Sequence, residues 1–462
     1  MQGTASLTDR HWAFIVARVL NVRHGHTVRT ETKPGGSTVG SDVTHLVFRI
    51  VPLVALGLVA GLLALKSASS VAHAKPGSYP QAKVKLGIDV LLDDRIDLVK
   101  GKRIGLITNA SGVDGKLRST ADRLHRDKRV KLVRLFAPEH GIRGAAPAGK
   151  TIEDVKDPGT GLPVFSLFGA NKQPPEESLA DLDALVFDIQ DIGSRTYTYT
   201  TTMARSMRAA RKAKIPFIVL DRPNPLGGEV FEGPMLTKKR FSFVGYGPVP
   251  VSHGLTAGEL AGYYNVFRNI RCKLVVVKMA GWRRGMTWDD TGLSFVMTSP
   301  GIPHARSAHL YIATGMIGGV TKNINEGVGT TLPFELIGAE WIRSDKLLAA
   351  LQKEKLPGIR FRAVTYRPYY QRHRGRTLHG VQLLPYDWKA FRPLKTALTI
   401  LTTIERLYPK RMRFRRNFNI IWGDPEIRKA IQSGASAADI ERSWLVDTLT
   451  YSLLRLPFLL YP

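Results

Sequence analysis

Between residues 84 and 285 the chain alternates short apolar runs with helical segments. Strand-like runs fall at residues 103–108 (RIGLIT), 131–136 (KLVRLF), 185–189 (LVFDI), 215–220 (IPFIVL) and 272–279. Helices are predicted over residues 119–126 and 202–212. A third opens at Thr256, where Glu259 completes a T-x-x-E capping box, and runs through residue 265. Runs with no polar alternate position belong to strands buried on both faces, and their alternation with helices implies a parallel sheet covered on both sides. The expectation is an α/β protein whose residues 84–285 form a Rossmann-like domain. Residues 286–462 are patterned differently. Strand-like runs at 359–366 and 377–385 precede a long helix over 393–407, and further helical stretches fill 425–445. This predicts a smaller α+β C-terminal domain that completes a cleft.

The N-terminal region addresses location. Residues 50–65 (IVPLVALGLVAGLLAL) are apolar and uncharged, between Arg49 and Lys66. The run is shorter than the roughly 20 residues a membrane span needs. It leads into Ala72-His73-Ala74, an A-x-A pattern before Lys75. Residues 1–74 therefore read as a secretory signal with an extended basic region, or as an uncleaved anchor, and residues 75–83 as a linker. Either reading puts the rest of the chain outside the cytoplasm, in the cell-wall or periplasmic space.

Charge narrows the surroundings. The chain holds 67 Lys and Arg against 38 Asp and Glu, a net charge of +29. The excess is spread along the chain and favours a polyanionic environment. No zinc-finger spacing, RNP-type motif or basic heptad helix is present, which turns the reading from nucleic acid toward an anionic cell-wall surface. The single cysteine, Cys272, lies in a strand-like run and is expected to be a buried, inert thiol.

Candidate chemistry gathers where the strands end, since open parallel sheets bind ligands beyond their C-terminal edges. The first run ends in Thr108-Asn109-Ala110-Ser111-Gly112 and the second in Ala137-Pro138-Glu139-His140-Gly141-Ile142-Arg143-Gly144. The next ends in Asp188-Ile189-Gln190-Asp191-Ile192-Gly193-Ser194-Arg195, and another in Asp221-Arg222-Pro223-Asn224-Pro225-Leu226-Gly227-Gly228. There is no G-x-G-x-x-G, G-x-S-x-G, H-E-x-x-H or P-loop, so no dinucleotide or other cofactor is expected. His140, Asp188 and Asp191 match no recognised metal-ligand spacing, and no metal is expected. A rim rich in carboxylates suits glycoside hydrolysis, where one group protonates the leaving oxygen and another attacks or stabilises the anomeric centre.

Individual residues keep two readings each. Pro138 forces the chain out at Glu139, which is then either the catalytic acid or a surface ion-pair partner. His140 orients that acid or simply shapes the turn. Asp188 and Asp191 are further catalytic candidates, or helix caps. Glu326, in a glycine-rich loop, is a candidate second carboxylate. Asn109, Gln190, Asp221 and Asn224 are candidates for sugar hydroxyls, and His253 for reaching the cleft. Tyr197 and Tyr199 either stack on a pyranose face or pack at a helix entry.

The segments FAPEHGIRG (136–144), VFDIQDIG (186–193), LDRPNPLGG (220–228), DDTGL (289–293), NEGVGTT (325–331) and PFELIGA (333–339) resemble the exo-β-N-acetylmuramidase family called NamZ. The resemblance runs from about residue 84 to the end of the chain. It implies a Rossmann-like domain and a smaller C-terminal domain with the active site between them. It also implies release of terminal N-acetylmuramic acid from non-reducing ends of peptidoglycan fragments, with the catalytic glutamate of the P-E-H-G motif falling on Glu139. Val328 departs from it, standing where the resemblance implies a basic residue. Muramic acid carries a lactyl carboxylate that glucosamine lacks, and a planar arginine fork suits it. Arg143 and Arg195, with Arg222 as a third, are the candidates on the rim. A non-catalytic cell-wall binding protein of the same fold and a metal-dependent carbohydrate deacetylase are the alternative readings.

Overall fold

The computed structural model describes residues 84–144 and 155–462, so the signal and linker expectations for residues 1–83 lie outside the described residues. Seven strands carry the apolar runs: β1 (Arg103–Thr108), β2 (Lys131–Ala137), β3 (Val155–Lys156), β4 (Pro163–Ser166), β5 (Ala184–Asp188), β6 (Phe217–Leu220) and β7 (Leu274–Val277). They form one sheet in the order β3-β4-β2-β1-β5-β6-β7, parallel throughout except for the short edge strand β3. Every residue of β5 and β6 is buried. Successive side chains in a strand point to opposite faces. Accordingly Ile107, Leu185, Phe187, Phe217 and Val219 enter one core. Their neighbours Leu106, Ala184, Val186, Ile218 and Leu220 enter the other. Helices α1 (Gly87–Asp94) and α2 (Thr120–Arg126) cover the second face through Ile88, Leu91 and Leu124. Helices α3 (Tyr199–Lys212) and α4 (Ala257–Phe267) cover the first through Met203, Met207, Leu260 and Ala261.

The Thr256–Glu259 capping box closes the start of α4 in both directions. Helix α3 begins earlier than the expected residue 202. Its N-cap residue, Thr198, makes no side-chain cap. That hydroxyl is spent elsewhere, as described below. Cys272 is buried, and burial pushes its thiol up to about 11, so it stays protonated.

The chain reverses its direction of sheet growth between β1 and β5. From β1 it builds outward through β2 and β4, then returns to lay β5 against the other side of β1. The crevice beyond this switch point is where ligands of such sheets sit. A second sheet, antiparallel and in the order β8-β10-β9, is made of β8 (Leu336–Ala339), β9 (Ile359–Tyr366) and β10 (Leu378–Pro385). Its apolar face (Ile337, Val381, Leu383) and helix α7 (Pro393–Leu407), which follows α5 (Ala305–Leu310) and α6 (Ser344–Lys353), merge with the first core of the large sheet. The last residues return to the large sheet. Tyr461 donates to Asp221, and the Pro462 carbonyl accepts from the Arg284 amide. Among the described residues no helix is long and apolar enough to cross a membrane.

Candidate active site

Glu139 stands two residues beyond β2, half-buried. The next two residues, His140 and Gly141, both adopt left-handed backbone, with φ of 74° and 78°. For histidine this is an uncommon conformation, of the kind that persists where surroundings enforce it and that clusters at functional sites. The Thr198 hydroxyl donates to Glu139 Oε2 at 2.9 Å. Thr198 sits at the start of α3, so the partial positive charge of that helix end lies beside the carboxylate. Behind it, Tyr197 and Tyr199 meet edge-on at 4.8 Å and both bond Thr298, through its hydroxyl and its carbonyl respectively.

Tyr311 ties this wall to the second sheet. It opens a five-residue π-turn, Tyr311–Gly315, a local feature frequent at functional sites. Its hydroxyl shares a 3.1 Å hydrogen bond with Thr196. Burial raises its pKa, and Glu139, Glu326 and Asp191 all push the same way, so the hydroxyl stays protonated within electrostatic reach of three carboxylates. Glu326 is buried, and both its oxygens accept from Arg372 Nη2, at 3.1 and 2.8 Å. Burial raises its pKa although Arg372 opposes the shift. Gly318 permits this placement, since a Cβ there would stand 2.0 Å from Glu326 Oε2.

Asp191 and His253 form a buried pair at 3.2 Å. The Leu255 amide donates to Nδ1 of His253, so the proton sits on Nε2 and points at Asp191. Asp191 Oδ1 and Gln190 Oε1 are buried without a hydrogen-bond partner among the described residues. Gln190 lines a crevice of about 20 Å³ with Ser111, Arg222, Trp288 and Val296 at the switch point, a volume suited to one water molecule. Asn109 belongs to the same rim. Its Oδ1 accepts from the Ser111 amide and hydroxyl.

Several of the expected contact residues have partners within the protein itself. Arg195 is fully buried, and its guanidinium donates to the carbonyls of Pro234, Val249 and Ile421. Burial pulls its pKa down to about 10, and it faces no open rim. Arg143 grips Asp157 through both edges of its fork, at 2.9 Å each, and also meets Asp122, so its carboxylate partners are the protein's own. Asp188 is fully buried in a bidentate pair with Arg222 and accepts from Thr120. Asp221 accepts four bonds, from the Arg222 and Gly258 amides and the Thr256 and Tyr461 hydroxyls. It pins α4 and the C-terminus, with its carboxyl pushed up to about 6 by burial. Asn224 braces its own turn through Leu226 and Leu255. His253 is fully buried behind Asp191, and Tyr197 has its ring packed between Tyr199 and Tyr311. Among the described residues Thr198 and Tyr199 hydrogen-bond Glu139, and Tyr311 stands in electrostatic reach of Glu139, Glu326 and Asp191. Thr198, Thr298, Tyr311 and Arg372 were not anticipated. The one available signal was the arginine-rich stretch at 367–376. The metal reading loses Asp188 to Arg222, and among the described residues no three of His, Cys, Asp and Glu are grouped as metal ligands.

A wider cleft of about 330 Å³ lies between Trp288, Phe295, Arg306, His309 and Trp388. His309 stacks on Trp388 at 4.3 Å and hydrogen-bonds the Pro225 backbone, and burial pulls its pKa down to about 4. An unfolded histidine titrates near 6.5, so the native state resists protonation between those values. The stability this group contributes is present above pH 6.5 and is lost as pH falls through 4. The loss amounts to roughly 3 kcal/mol. His309→Gln is expected to flatten that part of the melting temperature's pH dependence. An unchanged slope between pH 6.5 and 4 would show that His309 does not carry it.

An open parallel sheet that presents a half-buried glutamate at its C-terminal edge, with a tyrosine in electrostatic reach of it and of a second, buried glutamate, defines an α/β enzyme built on carboxylate chemistry. The chain belongs to the NamZ exo-β-N-acetylmuramidase family. The family's N-terminal model matches residues 104–306 and its C-terminal model residues 309–461. The chain is 45% identical over 399 residues to the peptidoglycan β-N-acetylmuramidase NamZ of Bacillus subtilis (strain 168), covering 86% of this chain and 96% of that one. Two crystal structures of DUF1343 family proteins from Bacteroides fragilis NCTC 9343 share its fold. One matches with a TM-score of 0.78 and 38% identity, over 83% of this chain and 100% of the other. The second matches with a TM-score of 0.68 and 29% identity, over 82% and 99%.

Proposed function

We propose that this protein is an exo-acting glycoside hydrolase that releases terminal N-acetylmuramic acid from the non-reducing ends of peptidoglycan fragments. The observation that carries the reading is Glu139, presented at the sheet edge and held through Oε2 by Thr198. In this reading Glu139 gives its proton to the leaving glycosidic oxygen as that bond breaks. Water then gives its hydroxyl to the anomeric carbon and its proton back to the carboxylate pair, of which Glu326, whose pKa burial raises, is the second member, and the Tyr311 hydroxyl, in electrostatic reach of both, bonds the sugar. No cofactor takes part. The natural substrates are muropeptide-derived saccharides that end in muramic acid.

The charge of +29 suits work beside an anionic cell wall, and the N-terminal apolar run suits export to it. Protein recovered from its native host is expected to begin near Lys75 or to be membrane-held through residues 50–65. Full-length, soluble protein in the cytosol would contradict export. End-wise action is tested by digesting a defined glycan capped with muramic acid and following products by mass spectrometry. Single N-acetylmuramic acid units are expected from the first time point, and internal fragments of several sugars would argue against an exo mode.

A further inference from the structure

The three arginines first suited to the lactyl carboxylate, Arg143, Arg195 and Arg222, are spent on the protein's own groups, which leaves the choice of muramic acid over glucosamine without a reader. A cavity of about 240 Å³ behind Glu326 supplies one. Gly318, Gly319, Asn325, Val328, Arg372 and Arg415 form most of its wall. Two guanidinium groups converge there on one acceptor. Arg372 Nη1 and Arg415 Nε both donate to the Thr321 carbonyl, each at 2.9 Å. Arg372 completes its bonds with Glu326 and the Gly318 carbonyl. Arg415 does not complete its own. Among the described residues its two terminal nitrogens make no hydrogen bond, although the residue is half-buried.

Two cations against one carboxylate leave the cavity positive. Burial and the neighbouring Arg372 disfavour the charge on Arg415, and Glu326 offsets them only in part. The backbone shows similar tension. Gln371 and His373, on either side of Arg372, are both left-handed, with φ of 61° and 64°. This loop is fastened to the glycine-rich loop by the Tyr369 amide bonding the Gly329 carbonyl. Gly329, at φ +97°, has no room for a Cβ, which would stand 2.3 Å from the Tyr370 carbonyl. The exposed rings of Tyr369 and Tyr370 stand on the same loop, and a sugar face can stack on such rings.

We infer that Arg415, set beside Arg372 in the cavity behind Glu326, grips the carboxylate of the substrate's lactyl ether and makes the enzyme selective for muramic acid. This rests on the glycosidase reading above. Arg415 binds through its free terminal nitrogens, and Arg372 positions it and Glu326. Val328 contributes an apolar wall against which the lactyl methyl group can lie.

The test compares a chromogenic N-acetylmuraminide with the same compound carrying its lactyl group as the neutral methyl amide. The full-length protein, Arg415→Met and Arg415→Lys are assayed on both, with thermal melts to confirm folding. Methionine keeps the packing of the aliphatic stem and removes the fork. The unaltered enzyme is expected to prefer the acid at least tenfold in kcat/KM. In Arg415→Met the acid should lose tenfold to a hundredfold, mostly through KM, and the acid-to-amide ratio should fall toward one. Arg415→Lys should recover part of the ratio, because it restores charge without the planar fork. An unchanged ratio in a folded Arg415→Met, or equal losses on both compounds, would overturn the assignment while leaving the glycosidase reading intact. An unaltered enzyme that cleaves neither compound would sink that reading instead. The subsite is then judged by calorimetry with free N-acetylmuramic acid, whose binding must weaken at least tenfold in Arg415→Met for the assignment to stand.

Discussion

Replacing Glu139 by glutamine is expected to lower turnover of a muraminide by about 10²–10⁴-fold, the range over which a positioned general acid acts. The amide keeps the size of the side chain and can still accept the Thr198 hydroxyl bond seen at 2.9 Å. It cannot deliver a proton to a departing glycosidic oxygen. Because Glu139 is half-buried at a sheet edge, the melting temperature should move by no more than a few degrees. The loss should fall on kcat and leave KM nearly unchanged, since the missing interaction belongs to the transition state. A well-folded Glu139→Gln protein with turnover within threefold of the original would remove Glu139 from the chemistry.

Asp188→Ala is expected to act on folding instead. Asp188 and Arg222 are 0% and 3% exposed and share two hydrogen bonds, at 2.5 and 2.8 Å. Removing the carboxylate strands a buried guanidinium, and breaking such pairs costs about 3–5 kcal/mol. The Thr120 hydroxyl at the start of α2 loses its acceptor at the same time. Denaturant titration should show this loss as an earlier midpoint with an unchanged slope. Asp188→Leu with Arg222→Met, which removes both charges, should recover much of it. A stable Asp188→Ala protein that binds substrate poorly would reverse the assignment and return Asp188 to the site.

These two residues mark how far the sequence could be read. The parallel sheet, its covering helices and the smaller antiparallel sheet follow from local patterns of apolar residues. The position of Glu139 follows from the end of β2 and Pro138. The destination of each polar side chain at the strand ends does not follow. Asp221, Asn224, Arg195 and Glu139 all stand just past strands, and only their distant partners separate them. Asp221 is claimed by Tyr461 and Arg195 by the Ile421 carbonyl, each more than two hundred residues away. Arg143 is taken by Asp157, which lies in the turn between β3 and β4. Tyr311 and Arg415 stayed hidden for the same reason. Tyr311 is held by the Thr196 hydroxyl and Arg415 by the Thr321 carbonyl, 115 and 94 residues away.

The most direct measurement is the initial rate on a chromogenic N-acetylmuraminide beside its N-acetylglucosaminide counterpart, with the full-length protein and with Glu139→Gln. The account predicts cleavage of the muraminide, at least tenfold weaker cleavage of the glucosaminide, and near abolition of both in the variant. No cleavage of the muraminide by a folded protein, or equal rates on the two sugars, would contradict it.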